Sequence, residues 1–169
     1  MLVTYFSGIV DENDHIRLGG YPGAFRELLG VRIEEFFPLH EHEAVALSAY
    51  GAGTAFSELG RAAGAEVLAR FTEGAVAGSP AITRNAVGSG AAYYVATSLT
   101  EDGADELLAS IAAEAGIASP VSVQKDVEVV RRSDGSRSWL FVINHSEEEA
   151  RLAVRGHDAQ HDGGRRGDE

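Results

Sequence analysis

The sequence predicts a domain that mixes strands and helices, running up to a linker at residues 120–126, and then a small antiparallel β unit. Three observations predict it. Short β-prone runs, separated by glycine-rich turns, fill residues 2–98. One amphipathic helix pattern follows at roughly 103–115, with Leu107, Leu108, Ile111 and Ala115 at helical spacing. After Ala118-Ser119-Pro120 the chain changes to short strand patterns with polar turns.

Residues 2–10 read as a buried strand ended by Gly8 and the polar run Asp11-Glu12-Asn13-Asp14. A strand that starts at once needs pairing on at least one side or must sit at a sheet edge. Residues 14–23 are irregular, and 24–29 form a short helix with Gly30 as a left-handed C-terminal cap. Strands are expected over 32–37, where Pro38 ends the run, over 44–49 and over 65–71, where apolar and polar residues alternate. Residues 54–59 are expected to pair back after a turn at Gly51 and Gly53. Residues 81–85 and 91–98 read as strands joined by the turn Gly88-Ser89-Gly90. Thr100 or Asp102 is the expected N-cap of the long helix and Gly116 its stop. Residues 127–131, 138–144 and 150–154 make the β unit, with Trp139 expected inside a core strand. The tail over 156–169 has Ala159 as its single apolar residue, too little to offset the entropy of ordering.

The chain has 169 residues, with 26 acidic against 14 basic side chains and a formal net charge of −12. That argues against nucleic-acid or anionic-membrane partners, which need positive surface. With no cysteine there is no disulfide, thiolate metal site or thiol nucleophile. No apolar run reaches membrane-spanning length, and Met1 to Phe6 carries no secretory pattern, so a cytoplasmic location is expected.

Several residue groups invite a chemical interpretation, and each has a plainer one. Glu34-Glu35 are adjacent on a strand, where neighbours face opposite ways and cannot flank one glycosidic bond. His40-Glu41-His42 offers two imidazoles, but no third ligand lies near in sequence. Gly51-Ala52-Gly53 and Gly88-Ser89-Gly90 lie between strands, which suits hairpin turns rather than phosphate loops. Ser48, Ser57, Ser79 and Ser89 have no nucleophile-elbow context. Asn144-His145-Ser146 matches a glycosylation pattern without a secretory context. Arg84-Asn85 beside Tyr93-Tyr94 reads as a polar hydrogen-bonding cluster with a packing or subunit-contact role. No catalytic, cofactor-binding or metal-binding residue is assigned.

Eight segments in order resemble the non-catalytic half of family-42 glycoside hydrolases, the β-galactosidases. They include Val3-Thr4-Tyr5-Phe6-Ser7-Gly8-Ile9-Val10-Asp11-Glu12-Asn13-Asp14, Leu18-Gly19-Gly20-Tyr21-Pro22-Gly23, Pro80-Ala81-Ile82-Thr83-Arg84-Asn85 and Phe141-Val142-Ile143-Asn144-His145. The resemblance covers about residues 2–155. It implies a chain order of catalytic barrel with both glutamates, then a flavodoxin-like α/β domain that holds a trimer together, then a small β domain. On that layout residues 1–119 are an N-terminally truncated trimerisation domain, and 121–155 begin the C-terminal β domain, which is incomplete. The fold implied is therefore α/β, partial flavodoxin-like (class I glutaminase-like). The implied partner is a homotrimer, or a chain carrying the missing barrel. No glutamate matches the family's catalytic motifs, and its zinc-binding cysteines have no counterpart. Phe56-Ser57-Glu58 stands where members usually have a tryptophan, and the resemblance stops after Gly156-His157-Asp158.

Three functions follow: a non-catalytic assembly segment of a β-galactosidase, a glutaminase-type enzyme, and a carbohydrate-binding module. The missing thiol counts against the second, and an aromatic share of 8% against the third. Lost strands would leave apolar edges at Leu2, Val3, Tyr5 and Phe6, so an aggregation-prone product is expected.

Overall fold

The computed structural model describes residues 1–117, 124 and 126–152. Two compact units divide the chain, Met1–Gly116 and Ile117–Glu169.

The first unit is built on strands. Its central sheet has the order β1-β8-β7-β6, formed by β1 (Leu2–Thr4), β6 (Glu66–Arg70), β7 (Pro80–Val87) and β8 (Gly90–Val95). β7 runs antiparallel to both neighbours, and β1 lies parallel to β8, with Val3 opposite Tyr94. A two-stranded ribbon joins β2 (Val31–Pro38) to β5 (Phe56–Ala62), with a bulge between Ile33 and Glu35. A three-stranded sheet orders β3 (Ala44–Ala46), β4 (Ala52–Thr54) and β9 (Ser98–Leu99). The helices are α1 (Arg26–Leu29), preceded by a 3₁₀ turn over Gly23–Phe25, and α2 (Glu101–Glu114).

This architecture corrects the α/β, flavodoxin-like expectation. Such a fold needs mostly parallel strands, each pair joined by a crossover of a dozen or more residues, usually a helix. Here hairpins do most of the joining. Gly88, at φ 58°, and Ser89 close a two-residue turn between β7 and β8. The result is a predominantly β unit, and α2 is its one helix longer than a single turn.

Other expectations shift locally. The strand over 2–10 ends at Thr4, because the chain turns over 5–8 and Phe6 adopts a left-handed φ of 61°. Gly8 follows at φ 66°, and a Cβ there would lie 2.5 Å from the Pro22 carbonyl oxygen, so that close approach requires glycine. The run over 54–59 divides at Ala55, φ 62°: β4 pairs with β3, while β5 leaves for β2. Gly30, φ 61°, caps α1 as expected. α2 starts after Thr100 and stops before Gly116, φ 67°, but Thr100 makes no side-chain cap bond. Its apolar stripe is narrower than the spacing suggests: Leu107 is buried, while Leu108 and Ala115 are exposed.

Ile82, Tyr94 and Val95 from the central sheet share one core with Leu29, Val31 and Phe71. The two faces of the sheet do different work. Arg84 of β7 lies opposite Tyr93 of β8, and Thr83 lies opposite Tyr94. Alternation therefore sends Arg84 and Tyr93 to one face, and Thr83 and Tyr94 to the other.

In the second unit β10 (Val127–Ser133) and β11 (Ser138–Asn144) form an antiparallel hairpin. Trp139, expected in a core, is 44% exposed, with Phe141 and Ile143 exposed on the same face. Residues 150–152 belong to no strand. The remaining residues of the expected strand over 150–154, the expected tail over 156–169 and the expected linker over 120–126, apart from Gln124 and Asp126, lie outside the described residues.

Candidate functional site: a buried carboxyl beneath an aromatic surface

The polar residues singled out by sequence separate into local devices. A bulge in β2 leaves both Glu34 and Glu35 exposed, and Glu34 pairs with Arg61 at 3.0 Å. His40 and Glu43 close a loop, in which the Glu43 carboxylate accepts the His40 N–H at 2.9 Å. His42 sits there exposed at φ 67°, 3.9 Å from Glu41. Among the described residues no group of three His, Asp or Glu has metal-binding geometry. The Ser48 hydroxyl accepts from the Arg70 N–H, and the Ser57 hydroxyl donates to the Phe37 carbonyl. Asn144 accepts the N–H and O–H of Ser146 in a local turn. Gly53 is inside β4 rather than in a turn, packed so closely that a Cβ would meet the Thr97 hydroxyl at 2.2 Å.

The Arg84–Asn85–Tyr93–Tyr94 cluster exists as two clusters, one on each face of the sheet. On one face the Arg84 guanidinium makes a forked pair with Glu114, near the end of α2, and the Tyr93 hydroxyl donates to the same carboxylate. These donors hold the Glu114 carboxyl near 2, well below the usual carboxylate range, and raise Arg84 in return. On the other face the Asn85 amide donates to the carbonyls of Glu27 and Leu28, closing the end of α1. Each is a clamp between a helix and the sheet.

Tyr94 leads to the group that sequence reasoning missed. Its hydroxyl donates to Glu58 Oε2 at 2.7 Å. Glu58, on β5, is fully buried, and its Oε1 has no hydrogen-bond partner. Burial pushes this carboxyl up to about 7, against the opposing pull of the Tyr94 hydroxyl and the Phe6 backbone N–H. Burial and the nearby carboxyl also raise Tyr94.

Above this pair lies a cluster of rings from distant segments. Phe6 stacks on Phe36 at 4.9 Å and meets Phe56 edge-on at 4.5 Å. Tyr5 packs on Phe56 at 5.5 Å, and Tyr21 on Phe36 at 4.9 Å. Phe6 is 43% exposed and the other four rings are partly buried, so the cluster forms an aromatic surface. A signal was available in sequence: period-two alternation puts Glu58 on the same face of its strand as Phe56.

The first unit is thus a β-rich domain with two helix-to-sheet clamps and one aromatic surface. Residues 1–118 match the family model described as the β-galactosidase trimerisation domain, and residues 126–161 match the β-galactosidase C-terminal domain. The chain belongs to glycoside hydrolase family 42, in its trimerisation domain. It is 50% identical over 149 residues to a β-galactosidase of Arthrobacter sp., covering 87% of this chain and 21% of that protein. It is 41% identical to the β-galactosidase LacZ of Heyndrickxia coagulans, covering 86% of this chain and 22% of that one. The crystal structure of a β-galactosidase from Bacillus circulans sp. alkalophilus superposes with a TM-score of 0.82 at 35% identity, covering 88% of this chain and 23% of that one. That from Rahnella sp. R3 gives 0.77 at 30% identity, covering 85% and 23%. The chain thus spans about a fifth of the length of the curated relatives it matches.

Proposed function

We propose that this chain is a non-catalytic assembly segment of a β-galactosidase, an enzyme that hydrolyses terminal β-D-galactosides. Residues 1–119 make the subunit contacts of a homotrimer, or contact a chain carrying the catalytic barrel, and 121–155 begin the C-terminal β domain. The match of residues 1–118 to the trimerisation-domain model carries this reading. The carboxyls support it: Glu114 is committed to a helix clamp and Glu58 to a buried phenol, so neither faces a sugar site. A cytoplasmic location, with no nucleic-acid or membrane partner, belongs to the same reading. It agrees with the net charge of −12, and no helix among the described residues is long and apolar enough to cross a membrane.

The test is a chromogenic galactoside assay on the purified 169-residue chain, run beside sedimentation velocity. The expected outcome is no galactose release and a species of three times the chain mass. Galactose released in stoichiometric excess over any contaminant overturns the non-catalytic part. A monomer at every concentration, with or without a barrel-bearing chain, overturns the assembly part. The carbohydrate-binding alternative is less favoured, because the rings pack against one another and four of the five are partly buried in those contacts.

A further inference from the structure

One cleft of the first unit is chemically unlike the rest of this acidic chain. It has a volume of about 370 Å³ and lies where the ends of β5 and β6 meet the loop that leads into β7. That volume falls within the range of small-molecule sites, about 300–1,000 Å³. Residues 60–62, 70 and 77–80 line it, so it carries the two guanidinium groups of Arg61 and Arg70 and no acid, in a chain of formal charge −12. Arg70 is anchored by Nη1, which donates to the Gly78 carbonyl at 2.8 Å; its Nε and Nη2 have no partner among the described residues. Arg61 meets Glu34 at 3.0 Å and stands opposite Arg32 in the β2–β5 register. Like charges directly opposite on a ribbon oppose its pairing, and Glu34 balances only one of these two. Ser79 is 7% exposed and fixed through its backbone, its N–H donating to Val76 and its carbonyl accepting from Phe71. Its hydroxyl has no partner among the described residues, yet it is not sealed in the core as the orphaned Thr83 hydroxyl is. A hydroxyl fixed in the wall of a cleft with nothing to bond is a donor for a ligand oxygen.

We propose that this cleft binds a small oxyanion of the phosphate class, free or as the monoester of a sugar, on the guanidinium groups of Arg61 and Arg70 and the hydroxyl of Ser79. All three groups donate, and planar guanidinium forks match the oxygens of such an anion. They come from three separate segments, which suits a tetrahedral anion with oxygens in several directions better than the two coplanar oxygens of a carboxylate. A neutral sugar would leave both charges unanswered. The net charge of the chain does not forbid the site, because at 0.15 M ionic strength charges beyond about 8 Å are largely screened and the groups lining the cleft dominate. Glu34 is the internal competitor, since it holds Arg61 through an exposed pair that an incoming anion exchanges for itself. The site goes beyond the assembly reading and does not depend on it.

Isothermal titration calorimetry of the full chain with inorganic phosphate, at a fixed ionic strength of about 0.15 M, tests the site. The expected result is saturable binding with a Kd of about 1 mM or tighter. R70M and S79A weaken it, R70M by about tenfold, the loss of one charge-assisted contact. E34Q tightens it severalfold, because Arg61 is released from its competitor. Circular dichroism confirms that each variant is folded; if R70M is not, R61M takes its place with the same expectation. The absence of saturable binding overturns the proposal, as does wild-type affinity in the arginine variant or an E34Q chain that binds no more tightly. A parallel titration with a hexose 6-phosphate separates the two sources of the anion: tighter binding than inorganic phosphate assigns the cleft to a phosphorylated sugar, and equal or weaker binding assigns it to the free ion.

Discussion

Two carboxyls in this chain show how position decides sign. Glu58 is raised because burial outweighs two hydrogen bonds that favour its charge. Glu114 is lowered because Arg84 and Tyr93 converge on it at the surface, where water already solvates the charge. A carboxyl whose folded value is depressed stabilises the protein above its unfolded value, the ordinary 4.5 of a free glutamate. That stability disappears as pH falls through the folded value near 2. E114Q is therefore expected to melt a few degrees below wild type at pH 6, and the gap should close by pH 2. Circular dichroism melts of both proteins across this range check it, and a gap that persists at pH 2 would mean that the carboxylate's charge is not what clamps α2. The effect is small because exposed ion pairs are screened, although the forked guanidinium geometry places this one above a typical surface pair.

At the scale of elements, α2 depends on one backbone approach. Gly103 lies in its first turn, and a Cβ there would come within 2.2 Å of the Tyr50 carbonyl oxygen. Alanine in a helix interior gains at most about 1 kcal/mol over glycine. Here the obstacle is backbone rather than a flexible side chain, and displacing packed elements costs about 1–3 kcal/mol. G103A is therefore expected to lower the midpoint of urea unfolding, against the propensity scale; a raised midpoint would show that the loop at Tyr50 yields freely. The elements themselves were mostly legible. Glu66–Arg70 alternates, Gly88-Ser89 marks a hairpin, and Leu107 and Ile111 mark the helix, because each signal lies within one window of sequence. What pairs with what was not legible. β1 joins β8 from the far end of the unit, and Phe6, Phe36 and Phe56 meet from three separate segments. No local pattern encodes these meetings. The flavodoxin-like expectation failed for this reason: resemblance supplied a strand order that the hairpins do not follow. Glu58 was hidden likewise, since its hydrogen-bond donor Tyr94 and its register partner Phe36 come from distant segments.

For the whole molecule, charge and apolar surface oppose each other in assembly. Each chain carries a formal charge of −12, so bringing copies together at low salt works against their mutual repulsion. The Debye length shortens from about 30 Å at 0.01 M to about 8 Å at 0.15 M ionic strength. The proposed trimer should therefore tighten, at least severalfold in its apparent association constant, as sodium chloride rises over that range. Apolar contacts do not weaken at these concentrations, so only the repulsive contribution changes. Sedimentation velocity at several protein concentrations, repeated at each salt level, measures the shift. Association that weakens with added salt would reverse the assignment of forces. It would mean that opposite charges, such as Arg61 with Glu34 or Arg84 with Glu66, exchange partners between subunits and hold them together. Those pairs lie in the β2–β5 ribbon and on the central sheet, not among the aromatic rings. The sign of the salt dependence therefore distinguishes an interface built on the apolar surface around Phe6 from one built on the polar faces of the sheets.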